Sequence, residues 1–374
     1  MTMRIVAEKS VPFLKGVVED FADVKYLSSD EFTPTNVHDA DVLIVRSINN
    51  CTQELLEGSN VKLITSATIG FDHIDTTFCD KSGIVWKNVP GCNSISVSQY
   101  IISSLLIVAK RKGETLKGKT LGIIGVGHVG TEVERVCSAL GMKILRNDPP
   151  REEQEGREGF VSLDTICEEA DIITFHTPLI KEGLHATKHL ADKSFFEKLK
   201  RKPWYINSAR GAINDTKALL DAKNKALVSE LIIDCWENEP TINKELLDLA
   251  SIATPHIAGF SADGKVNAIR ACLDDIINYY NINIQLKEIS PQKPTNSTID
   301  MNELELNSDK DRISQVILHC FDPSATDKAL RETPERFEWF RSNYPHPREF
   351  SAYKIKNATP EEIALLQKIG FTFF

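Results

Sequence analysis

Gly125, Gly127 and Gly130 stand in GVGHVG, between an apolar run and a helical pattern. In that setting the first glycine permits a tight turn and the second lets the backbone approach a pyrophosphate. The third lets the helix pack on the strand. A helix starting there offers unpaired N–H groups and its positive dipole end to phosphate. Asp148, 18 residues beyond Gly130 in ILRNDPP, is placed to accept hydrogen bonds from both adenosine ribose hydroxyls and to repel a 2′-phosphate. The same aspartate is also a turn former ahead of Pro149, and Arg146 and Arg151 leave a 2′-phosphate open. NAD is the expected cofactor.

Downstream, INSARG (Ile206–Gly211), DCWENEP (Asp234–Pro240) and TPHIAG (Thr254–Gly259) each put polar residues just past an expected strand. That C-terminal edge is where open α/β sheets bind ligands. Oxidising an alcohol by hydride transfer needs a base for the hydroxyl proton, a group that orients the base, and a cation for a substrate carboxylate. Arg210 offers a planar, permanently charged fork suited to a carboxylate. His256 has an intrinsic pKa suited to acid–base work near neutrality. Glu239 is suited to accept the other imidazole N–H. His176, in FHTP, holds an equivalent position and competes for the role of base.

The elements that must position these residues follow an α/β rhythm. Strands are expected at Arg4–Ala7, Val42–Val45, Lys62–Thr65 and Ile84–Trp86, separated by polar or helical stretches. One long, mostly apolar helix spans Asn93–Lys112 and is expected between two lobes. Strands recur at Lys119–Ile124, Met142–Arg146, Ile172–Phe175, Trp204–Asn207, Leu231–Asp234 and Ile252–Thr254, with a further helix from Ser261 to about Gln285. The expected fold is two flavodoxin- or Rossmann-like, doubly wound parallel-sheet lobes plus a small α+β C-terminal domain. Residues 1–92 form the substrate-binding lobe, completed by helix 261–285, and 93–260 the NAD-binding domain. Residues 286–374 are a linker and a dimerisation domain. The linker composition covers Ile289–Asn307. Beyond it, strands are expected at Ile313–Leu318 and Phe350–Ile355 and helices at Asp327–Arg331 and Pro360–Ile369.

With 374 residues and a formal net charge of −9, the chain is long enough for more than one core and lacks a basic block suited to nucleic acid or anionic membrane. No apolar run reaches bilayer length and no secretory signal is visible, so a soluble cytoplasmic protein is expected. Eight single cysteines without CxxC or paired spacing read as reduced thiols, with no metal site expected.

GVGHVG, HTPL, INSARG, DCWENEP and TPHIAGF, in this order, resemble the D-isomer-specific 2-hydroxyacid dehydrogenases. The resemblance covers nearly the whole chain. Arg46-Ser47, Thr65–Asp75, PGCN at Pro90–Asn93, DPPR at Asp148–Arg151, His256–Lys265 and the C-terminal FSAY and KIGF narrow it to one branch. That branch oxidises 4-phospho-D-erythronate for vitamin B6 (pyridoxal 5′-phosphate) synthesis. D-3-phosphoglycerate or another D-2-hydroxy acid is the alternative substrate, and a non-catalytic NAD sensor the remote one. The resemblance implies Arg210, Glu239 and His256 as the catalytic set. It implies cofactor contacts from His128, Val129, Asp148, Thr177, Ser208, Ala209, Asp234 and Gly259 besides the glycine loop. Ser47, Thr68 and Phe260 fall on substrate-binding positions, and a homodimer through the C-terminal domain is implied. The chain departs from the family at Phe260, where a tyrosine is usual, at His128, where an asparagine is common, and in its AEKSVPF start.

Overall fold

The computed structural model describes residues 2–304 and 311–374. These form two compact units. The first comprises Met1–Asn93 with Ser261–Gln292, and the second Ser94–Phe260 with Lys293–Phe374.

The first unit is built on strands β1 (Arg4–Glu8), β2 (Asp23–Leu27), β3 (Val42–Val45), β4 (Leu63–Ser66) and β5 (Val85–Asn88), all parallel, in the order β2-β1-β3-β4-β5. This is the flavodoxin order, with its switch point between β1 and β3. Four consecutive apolar residues make β3 because both faces of the sheet are covered. Val42 and Ile44 pack with Val266, Ile269 and Leu273 of the helix Ala262–Tyr280, while Leu43 and Val45 pack with Leu55, Leu56 and Cys79 on the other face. The strand β2 escapes sequence reading because it is an edge strand whose residues are mostly exposed or half-buried.

The second unit carries strands β6 (Thr120–Ile124), β7 (Lys143–Asn147), β8 (Ile172–Phe175), β9 (Trp204–Asn207), β10 (Leu231–Ile233) and β11 (Ile252–Ala253). Their order is β11-β10-β9-β8-β6-β7, every pairing parallel, with the switch point between β6 and β8. The helix Ser94–Lys112 is buried from Val97 to Ala109 within one core that also holds Leu121, Ile172 and Ile206.

A third, parallel sheet of β12 (Thr298–Asp300), β13 (Lys354–Lys356) and β14 (Thr372–Phe373) belongs to this second unit. Ile299, Val316, Ile355 and Ile369 join the core of the helix Ser94–Lys112. Three sequence expectations change here. Ile313–Leu318 lies in a helix, Arg312–Cys320, because Ile313, Val316, Ile317 and Cys320 recur at helical spacing and are the residues buried. Phe350–Ile355 is a 3-10 turn, Phe350–Ala352, before the short β13. The linker composition conceals β12, where Ile299 is buried among polar neighbours, and the buried Met301 that follows it. The end of that linker, 305–307, lies outside the described residues.

The terminal segment also seals the edge of the second sheet. Asp327, 7% exposed, accepts from the Ala253 N–H of β11 at 2.7 Å and from Arg331 Nε at 3.0 Å. Arg331 in turn donates to the carbonyls of Leu247 and Ala250. All eight cysteines are free thiols, and no helix among the described residues is long and apolar enough to cross a membrane. Asp327→Ala leaves the buried Ala253 N–H without its acceptor and takes one partner from the Arg331 guanidinium, and is expected to cost about 1–3 kcal/mol. Asp327→Asn, which keeps one acceptor, should cost less. The urea midpoints of the two variants check this ordering, and equal midpoints would remove the edge-sealing role.

Candidate active site

The site in the second unit starts at the end of β6. Gly125 takes φ +88°, and a Cβ there would lie 2.8 Å from the His176 carbonyl carbon. A Cβ on Gly130 would strike the Gly125 carbonyl, so the helix His128–Ala139 sits directly on the turn. Gly127 is the N-cap of that helix. It has no capping side chain and open space where its Cβ would be. The first helical N–H groups, those of His128 and Val129, therefore lie beside a space that a phosphate can occupy. Thr177 Oγ1 and Ser208 Oγ are buried oxygens without a hydrogen-bond partner. Unpartnered buried hydroxyls are costly, and both fall on expected cofactor positions. The glycine loop and these donors fit a dinucleotide.

Asp148 follows β7 and has two structural partners. Its Oδ2 accepts from Val126 N at 2.8 Å and its Oδ1 from Arg151 N at 3.2 Å, capping the helix Pro149–Glu155. A carboxylate has about four acceptor sites, so this leaves capacity for ribose hydroxyls. The neighbouring cations are matched already: Arg146 Nε donates to Glu134 at 2.8 Å and Arg151 Nε to Glu155 at 2.7 Å.

Beyond β9, Asn207 holds the INSARG loop by donating to the Arg210 carbonyl at 2.9 Å and accepting from Ala209 N at 3.1 Å. A Cβ on Gly211 would lie 1.9 Å from the Trp236 carbonyl oxygen. Only glycine lets this loop rest on DCWENEP, and that close approach puts Arg210 next to the Glu239 segment.

After β10, Glu239 Oε1 accepts from Trp236 N at 2.7 Å and Oε2 meets His256 Nδ1 at 2.8 Å. Burial alone would raise the Glu239 pKa. The His256 ring, the Trp236 N–H and the Arg341 charge outweigh it and hold the carboxyl below its usual range. His256 follows β11 with φ +56°, a left-handed conformation that is uncommon for histidine. Its loop is anchored by Asp234, which accepts from Thr254 Oγ1 (2.6 Å), Ile257 N (2.8 Å) and Ala258 N (3.0 Å). Tyr100 on the long helix bonds Thr254 Oγ1 at 2.7 Å. Past Gly259, the Phe260 ring stacks on His346, with centroids 5.8 Å apart, and meets Tyr344 edge-on.

Residues 106–258 match the family D-isomer specific 2-hydroxyacid dehydrogenase, NAD binding domain, and residues 294–370 match a domain of unknown function (DUF3410). The chain is 49% identical to an erythronate-4-phosphate dehydrogenase of Porphyromonas gingivalis, across 99% of this chain and 100% of the relative. The chain belongs to the erythronate-4-phosphate dehydrogenase family. A Shewanella baltica erythronate-4-phosphate dehydrogenase is 36% identical over 99% of both chains. Among solved structures, NAD-bound 3-phosphoglycerate dehydrogenase of Entamoeba histolytica matches with a TM-score of 0.65 at 29% identity, covering 76% of this chain and 97% of that one. D-lactate dehydrogenase of Aquifex aeolicus, complexed with NAD and lactic acid, matches with a TM-score of 0.63 at 26% identity, covering 74% and 95%.

For this family member the structure brings Glu239 and His256 into contact and lays the Arg210 loop against them. Ser47 and Thr68 lie in the first unit, beyond the C-terminal ends of β3 and β4. Ser47 is exposed, while Thr68 Oγ1 bonds Ser66 Oγ (2.6 Å) and the Gly70 carbonyl (2.8 Å). Asp234, expected among the cofactor contacts, also holds the His256 loop through its carboxylate. Asn207, Thr254 and Tyr100 were not picked out from the sequence. The first two sit inside the motifs themselves, and only Tyr100, remote on the long helix, lacked a signal. His176 stays apart from the pair. Its Nε2 faces Thr174 Oγ1 at 3.0 Å, and burial drives its pKa down to about 3, leaving it neutral at working pH.

An imidazole held near 3 when folded, against an ordinary 6.5, binds its proton more readily in the unfolded chain between those values. Stability should therefore fall as pH drops from about 6.5 towards 3, and His176→Gln should remove that part of the fall. Urea midpoints at neutral pH and at about pH 4.5 test this; an identical drop in parent and variant would contradict the buried neutral imidazole.

Proposed function

We propose that this protein oxidises 4-phospho-D-erythronate to (R)-3-hydroxy-2-oxo-4-phosphooxybutanoate, with NAD as cofactor. The observation that carries the chemistry is the 2.8 Å contact between His256 Nδ1 and Glu239 Oε2. With Nδ1 donating to a carboxylate, the imidazole keeps Nε2 as a free base. The identity of the acid is supported by relatives at 36–49% over nearly the full chain.

NAD, when bound, accepts the C2 hydride. Arg210 holds the substrate carboxylate with its planar fork. His256 Nε2 takes the C2 hydroxyl proton, and Glu239 stabilises the imidazolium so formed, fixed in place by the Trp236 N–H. A positioned base of this kind contributes about 100- to 10,000-fold in rate. The NAD contacts are Gly125, Gly127, His128, Val129, Gly130, Asp148, Thr177, Ser208, Ala209, Asp234 and Gly259. Ser47, Thr68 and Phe260 contact substrate. The same reading includes a cytoplasmic homodimer joined through the C-terminal segment. Trp339 (51% exposed) and Phe374 (74% exposed) support that surface as one that becomes covered.

Single-turnover reduction of NAD, followed at the nicotinamide absorbance, should proceed with 4-phospho-D-erythronate and fail with D-3-phosphoglycerate. The reverse preference would move the protein to the other substrate, and silence with both would contradict the dehydrogenase reading. His256→Ala should lower kcat by about 100- to 10,000-fold while NAD binds nearly as before. Asp148→Ala should weaken NAD and narrow the gap to NADP; unchanged affinities for both would remove the ribose assignment.

A further inference from the structure

Cys235 lies one residue beyond Asp234, on the loop that carries Glu239, and has no part in the reaction described above. Its Sγ–H donates to the Ala209 carbonyl at 3.4 Å. One ligand atom each from Cys235, Glu239 and His256 lie within 4.8 Å of one another. Linear spacing conceals this group, because Cys235 and Glu239 are close in sequence but His256 arrives from the next strand. We propose that Cys235, Glu239 and His256 form an inhibitory site for a single zinc ion.

The donor set is sulfur, carboxylate oxygen and imidazole nitrogen, the combination zinc prefers, at about 2.3, 2.0–2.2 and 2.0–2.1 Å. A tetrahedral ion at those lengths spaces its ligands by about 3.4–3.6 Å. The 2.8 Å Glu239–His256 contact must open slightly and the thiol must swing inwards, both within reach of side-chain rotation. The side chains of His256 and Glu239 are 25% and 20% exposed, which provides entry. The charges facing Cys235 are the carboxylates of Asp234 and Glu239 and, more weakly, the guanidinium groups of Arg210 and Arg341.

The protons balance simply. The Cys235 S–H bond breaks, its proton passes to solvent, and a Zn–S bond forms. His256 keeps one proton but moves it from Nδ1, now bound to zinc, to Nε2. Glu239 exchanges the imidazole N–H for the metal. An imidazole with Nε2 protonated in this way cannot accept the substrate hydroxyl proton, so turnover stops. The inhibition rests on His256 as the base; the metal site does not.

The test uses the full-length protein freed of metal by chelation. Co2+ should give a thiolate-to-metal charge-transfer band that Zn2+ abolishes, and competition against a chromophoric chelator should give one zinc per chain. Zinc should suppress turnover and EDTA should restore it. Cys235→Ala should turn over normally without metal, lose the cobalt band, and bind zinc more than about 100-fold more weakly, beyond what outer-shell changes cost. Cys235→Ser serves as a second variant, with circular dichroism verifying the fold of both. Absence of the thiolate band, or zinc inhibition unchanged in both variants, overturns the proposal. Zinc held by Cys235 while turnover continues overturns the inhibition, whereas the metal-free His256→Ala assay tests the assignment of His256 as base on its own.

Discussion

Asp234 carries the interaction on which the second unit's chemistry depends. Its carboxylate is 1% exposed and receives the Thr254 hydroxyl and the N–H groups of Ile257 and Ala258. A buried charge is tolerable only when such donors surround it. In meeting that requirement the chain is forced to turn tightly at His256, with φ +56°, a conformation that survives only where its surroundings over-determine it. Burial pushes the Asp234 carboxyl upwards, and the His256 charge with the three hydrogen bonds opposes that push. The same aspartate thus joins β10 to the loop after β11, and Tyr100 extends the network into the long helix through Thr254.

The Glu239–His256 pair is assembled from loops that each need a separate restraint. Asn207 pins the Arg210 loop, Gly211 lets it lie on Trp236, and the Trp236 N–H orients Glu239. Below these loops, His189 Nε2 meets Glu237 Oε1 at 2.7 Å, and Glu237 Oε2 accepts from Thr216 N at 3.1 Å. The segment bearing Glu239 is therefore held from both sides. Rigid support of this kind is what allows hydrogen bonds to act on charge as it develops, without reorganisation.

The terminal segment is part of this support. It shares a core with the helix Ser94–Lys112, and Gln99 on that helix binds both the Arg348 carbonyl and the Phe350 N–H. Asp327 seals the β11 edge, His346 covers Phe260, and the Arg341 charge reaches Glu239. The segment matched to a domain of unknown function (DUF3410) therefore conditions the environment of the Glu239 carboxylate.

Strands in both doubly wound sheets were most legible where a short apolar run is buried on two faces, as in Val42–Val45 and Ile172–Phe175. The glycine turn, Asp148 and the Arg210, Glu239 and His256 segments were legible because they follow strands, where the topology concentrates ligand contacts. Less legible were β2, whose edge position relaxes the apolar pattern, and β12, where one buried residue, Ile299, suffices in a polar stretch. The helix Arg312–Cys320 was misread because a short apolar run satisfies both periods, and only packing against the core decides between them. The sequence by itself determined which residue types could do chemistry and on which kind of sheet they sit. Tertiary structure alone decided that His256 meets Glu239, that Asp234 faces inwards to hold that loop, that His176 is neutralised by burial, and that Cys235 joins the cluster. Those outcomes depend on distances and burial between residues far apart in the chain, which spacing along one dimension does not encode.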